Sequence, residues 1–86
     1  MPIITIDNIF NTKGHLEYVR KLRQKYKIRV EIKTYSRADI IDWVVATYDE
    51  SSYEIQHMIN NYYVHVWFHN TEDATFLALK FNGAIV

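Results

Sequence analysis

The side chains here with the most versatile chemistry are four histidines, His15, His57, His65 and His69. His65 and His69 are four apart, a spacing that puts two imidazoles on one side of a helix within reach of a shared metal ion. The run Tyr63 to Phe68 alternates as a strand does, and on a strand rising ~3.3 Å per residue the same spacing is about 13 Å, too far for one ion. His57 and His65 belong to opposite strand faces, so the reading is a half-buried, hydrogen-bonded His57, a surface His65 and no metal site. Asp39 with Asp42 and Asp49 with Glu50 are paired carboxylates, but no apolar enclosure surrounds them to raise a pKa for acid–base work. The two glycines, Gly14 and Gly83, cannot write a phosphate loop or a dinucleotide fingerprint. The absence of cysteine excludes a disulfide framework, a thiol nucleophile and a cysteine-ligated zinc or iron–sulfur site. With no nucleophile, base and orienter in sight, neither catalysis nor a cofactor is expected.

Such a chain must act through its surfaces, and composition says what they rest on. Eighty-six residues suffice for one domain, expected over 1–86; without cysteine, it has to stand on packing alone. No segment reaches the ~18 apolar residues of a membrane span and the first residues lack a signal-peptide pattern, so a cytoplasmic location is expected. Formal net charge is zero but segregated. Residues 13–33 carry eight basic side chains against Glu17 and Glu31, whereas 34–86 carry Arg37 and Lys80 against seven acids. The expected basic patch is Arg20, Lys21, Lys25, Arg29 and Lys33, able to attract nucleic acid or an acidic protein, or simply a solvated helix face.

The elements that position these residues follow from periodicity. Ile3 to Ile9 alternates as a first strand, and Asn11 or Thr12 can cap a helix with the stripe Leu16, Val19, Leu22 and Tyr26. Ile28, Val30, Ile32 and Thr34 make the next strand, completing a strand–helix–strand unit. Ser36 with Asp39 resembles a capping box for a helix to about Tyr48, carrying Ile40, Ile41 and Val44 with Trp43 off the stripe. Two alternating runs then flank Asn60-Asn61. A two-residue turn there pairs Ile59 with Tyr62, His57 with Val64, Ile55 with Val66 and Tyr53 with Phe68, although Ser51-x-x-Glu54 also fits the start of a short helix. Thr71 caps a last helix that buries Ala74, Leu77, Ala78 and Phe81 and ends at Asn82-Gly83.

Phe76 and Leu79 give that helix a second apolar side, readable as burial within the domain or as an oligomer or partner patch. The expected fold is α+β, a two-layer sandwich with about four strands and its helices on one face. The open face then holds Thr5, Asp7, Arg29, Glu31, Lys33, Tyr35, Glu54, Gln56, Met58, Tyr63, His65 and Trp67. Of these, Tyr35, Met58, Tyr63, His65 and Trp67 are the candidate binding residues.

Two resemblances touch the C-terminal part. Tyr63 to Phe81, an aromatic strand followed by an Asp-Ala helix with Phe, Leu and a terminal aromatic, resembles the ending of many small accessory proteins of tailed bacteriophages; that implies a binder of a host or viral component in the host cytoplasm. The same tail is similar to the RNA-recognition motif at Phe68, Asn70, Glu72-Asp73-Ala74, Ala78-Leu79 and Asn82-Gly83, implying a ferredoxin-like sandwich. On that alignment Ile4 to Ile9 is the first strand, with Thr5 and His65 where stacking aromatics belong, and helix 37–48 is an insertion. His69-Asn70-Thr71 has the His-x-Thr form that two-histidine phosphoesterases use in pairs; with a single copy, Thr71 reads as the helix cap.

The function expected is a non-enzymatic phage-type accessory protein that binds and sterically inhibits a protein, through the sheet face or the Phe76/Leu79 patch. The alternatives are a single-stranded nucleic-acid binder and a structural subunit of a larger, self-associating particle.

Overall fold

The computed structural model describes residues 13–56 and 62–86. Helix α1 (Lys13–Lys25) leads through Tyr26 and Lys27 into β1 (Ile28–Lys33). Helix α2 (Arg37–Thr47), a 3-10 turn (Glu50–Ser52) and strands β2 (Tyr53–Ile55) and β3 (Tyr63–Phe68) follow. Helix α3 (Thr71–Phe81) and the short β4 (Ala84–Ile85) close the chain. The strands form one sheet in the order β2-β3-β1-β4, every neighbouring pair antiparallel. From β1 onward the chain runs β-α-β-β-α-β, the ferredoxin-like split arrangement, and the fold is an α+β two-layer sandwich.

The first strand of the split unit is β1 at Ile28–Lys33, so α2 is its first helix and no insertion. The expected strand at 3–9, its cap at Asn11 or Thr12, the Asn60-Asn61 turn and the pairs of His57 and Ile59 lie outside the described residues. The described end of the hairpin has the expected register: Tyr53 opposes Phe68 and Ile55 opposes Val66. Among the described residues the helical alternative from Ser51 gives way to strand after the 3-10 turn, where the Asp49 side chain accepts from the Ser51 backbone N–H and hydroxyl; those bonds lower the Asp49 pKa.

The core lies between the sheet and the helices α2 and α3. Val30, Ile32, Val64, Val66 and Phe68 meet Ile40, Val44, Ala74 and Leu77, all buried. Tyr53 and Ile55 at the sheet edge are only half-buried. Helix α1 departs from the expectation that all helices share one face. Leu22 and Tyr26, at its C-terminal end and just past it, pack on Trp67, which points away from α2 and α3 because strand side chains alternate. Leu16, on the same stripe, stays exposed.

Local ends also differ from expectation in instructive ways. Asn70, not Thr71, caps α3: its Oδ1 accepts from the N–H groups of Glu72 at 2.7 Å and Asp73 at 3.4 Å. Ser36 occupies the N-cap position of α2 without a side-chain cap bond. At the C-terminus of α3 the pair Asn82-Gly83 divides its labour. Asn82 takes the left-handed conformation, with φ 56°. Gly83 lies so close to β1 that a Cβ would come within 2.8 Å of the Glu31 carbonyl oxygen, so the pairing of β4 needs a residue without one.

Candidate functional site

Of the residues expected on the face of the sheet opposite α2 and α3, seven stand there in cross-strand pairs. Arg29 opposes Trp67, Glu31 opposes His65 and Lys33 opposes Tyr63; Glu54 opposes Trp67 from the other side. The face is covered, however, where its largest side chain lies. Trp67 is 1% exposed, seated under Leu22 and Tyr26. Its indole N–H donates to Gln56 Oε1 at 2.8 Å, and the guanidiniums of Arg23 and Arg29 lie over the ring at 5.3 and 5.1 Å. This corrects the expected exposure of Trp67: the turn at Tyr26-Lys27 brings α1 back over its indole, the buried aromatic of this face among the described residues.

The neighbouring groups close the same seal. The Tyr26 hydroxyl donates to Glu54 Oε1 at 3.1 Å, and its ring lies 4.4 Å from that of His69. Burial, then the Glu54 contact, raises the Tyr26 pKa. Burial and the charge of Arg23 lower that of Arg29. His65, expected at the surface, is buried with Nε2 2.9 Å from Glu31 Oε2. Among the described residues His65 Nδ1 and Arg29 Nε have no hydrogen-bond partner. The carboxylate opposite on β1 thus takes His65 into the sheet. His65 and His69 are not brought together, since His69 stacks on Tyr26 beyond the strand.

The basic patch is divided rather than continuous. Arg20 pairs with Glu17 at 2.9 Å, Lys25 lies 3.9 Å from Glu54, and Lys21 and Lys33 are exposed. Arg29 serves the Trp67 seal. Arg23, which the charge run contained without distinguishing, does the same.

Among the described residues, exposed large aromatic side chains lie in two places. At the end of β1 and β3, Tyr35 is 85% exposed and Tyr62 54%, their rings 5.4 Å apart and nearly perpendicular. Tyr62, expected in the core, continues the core-facing alternation, with Thr34 N–H donating to its carbonyl, but is exposed. Half-buried Tyr63 and exposed Lys33 oppose each other on the other face of the sheet; Met58, Thr5 and Asp7 lie outside the described residues. The second place is α3, where Phe76 is 55% and Leu79 78% exposed. Trp43 of α2 lies against Phe76 at 6.0 Å and Phe81 at 5.2 Å, with Lys80 Nζ 5.7 Å from its ring. Its displacement from the α2 stripe was the sequence signal for this contact.

Among the described residues no group of three or more histidines and carboxylates is gathered as a metal would need, and no helix is long and apolar enough to cross a membrane. Comparison with known proteins finds no matching family model, curated protein or solved structure.

Proposed function

We propose that this chain is a non-enzymatic accessory protein, of the kind small tailed-phage proteins exemplify, that binds another protein and blocks it sterically. The observation that carries this reading is the exposed Tyr35–Tyr62 pair at the end of β1 and β3. Tyrosine offers a large, stiff apolar body with a polar tip, the combination enriched at protein interfaces. A base-stacking platform of the RNA-recognition type would need exposed aromatics on the two central strands. Here β1 presents Arg29, Glu31 and Lys33, and Trp67 on β3 lies beneath two guanidiniums and the end of α1.

The test is capture from a nuclease-treated bacterial lysate, with the wild-type chain and the Tyr35→Ala/Tyr62→Ala double variant as baits. The expected result is a protein held by the wild type, with little dependence on salt, and lost by the variant, since a few interface aromatics dominate binding energy. Salt-steep binding to a single-stranded oligonucleotide, abolished in Tyr63→Ala, would overturn the reading in favour of nucleic acid.

A further inference from the structure

The exposed side of α3 has a property that the tyrosine end lacks: it is self-complementary. Glu72, Phe76, Leu79 and Lys80 are exposed and spaced i, i+4, i+7 and i+8, so they form one stripe along the helix. The acid stands at the N-terminal end, the base at the C-terminal end and the apolar pair between. Trp43 braces Phe76 from behind, at a ring distance of 6.0 Å, so part of the ordering that binding would demand is already done.

We infer that α3 is a homodimer surface, on which a second copy of this chain packs antiparallel about a twofold axis at Phe76. Residues 72 and 80 are equally far from 76, so an antiparallel crossing there sets Glu72 of each copy against Lys80 of the other, twice. A parallel crossing would set like charges together. The same surface meets itself, which is the requirement of an isologous interface. Phe76 of each copy lies at the axis and Leu79 within one turn of it, giving an apolar centre with a charged rim. The apolar centre supplies affinity. The rim pairs are exposed and contribute little energy each, but they choose the orientation. Tyr35 and Tyr62 are not part of this stripe, so self-association stands or falls apart from the target reading.

Sedimentation velocity over a concentration series reads the inference directly. The wild type is expected to pass from monomer to dimer, and Phe76→Asp to remain monomeric with unchanged circular dichroism. Glu72→Lys and Lys80→Glu should each weaken the dimer roughly tenfold or more, because each creates two like-charge rim contacts. An equimolar mixture of the two variants should restore it, since every rim contact in the mixed dimer is again between opposite charges. A wild type that stays monomeric into the millimolar range overturns the inference, as does a dimer that survives Phe76→Asp. Charge variants that weaken the dimer without rescue on mixing overturn the antiparallel arrangement.

Discussion

The two faces of this sheet are made by the same strands and are covered by opposite means. On one face Val30, Ile32, Val64, Val66 and Phe68 meet α2 and α3 in a dry layer of aliphatic and aromatic side chains. On the other, one indole is sealed by a helix end, two arginines, a glutamine and a tyrosine–glutamate hydrogen bond. The first face is held by area, the second by a few specific polar contacts around a single apolar residue. The difference teaches that period-two alternation names the residues of each face but not how each face is closed.

The sharpest break of this comparison is at the two anchors. Trp67→Ala should cost about 3–5 kcal/mol and Leu77→Ala about 2–5 kcal/mol in urea unfolding, since both side chains are essentially fully buried. The two losses should differ in kind. Without Trp67, amide exchange is expected to accelerate in α1 while α3 stays protected; without Leu77, protection should fall throughout the sheet and α3. Equal loss of protection everywhere in both variants would show that the faces form one cooperative unit.

The edge of the dry face is probed by Gly83→Ala. The added methyl meets the backbone of β1, and a cost of about 1–3 kcal/mol is expected, with the β4 amides exchanging faster in NMR. Smaller still is the cap of α3, the helix that supplies much of that face. Asn70→Ala should lower stability by about 1 kcal/mol, and Thr71→Ala by clearly less, as read from paired thermal melts.

The subtlest probe is alkaline pH, because each face holds a phenol whose proton burial helps retain, buried Tyr26 on one and half-buried Tyr48 on the other. Tyr26 lies in the polar seal, and Tyr48 in the dry layer, donating to the Asp73 carbonyl. Both pKa values are raised above the usual 10.0, chiefly by burial. The folded chain therefore keeps these protons at pH values where the unfolded chain releases them. Stability is intact below the unfolded value and falls as pH rises through the raised ones. Urea midpoints compared across that window should fall less steeply in Tyr26→Phe and in Tyr48→Phe than in the wild type; an unchanged slope in either would mean that phenol is not held neutral by burial.

Much of the architecture could be read from residue order. Alternation through 28–33 and 63–68 and stripes at three and four residues place β1, β3, α2 and α3 because those periods are the geometry of strand and helix themselves. The register of Tyr53 with Phe68 and Ile55 with Val66 followed from matching apolar positions across a hairpin, where a slip of one residue would expose every core side chain. The Phe76/Leu79 side of α3 was visible for the same reason. The sequence could not say which sheet face α1 covers, because the stripe of Leu22 and Tyr26 needs only an apolar partner and the two-residue link permits either side. Tertiary structure decided that in favour of Trp67, and so took it from the open surface and left the paired rings of Tyr35 and Tyr62 exposed. It decided as well that Glu31 takes His65 into the sheet and that Asn70 rather than Thr71 closes α3. Each of these outcomes depends on which groups distant in sequence, or which of two adjacent caps, arrive at hydrogen-bonding distance, and no local period encodes that.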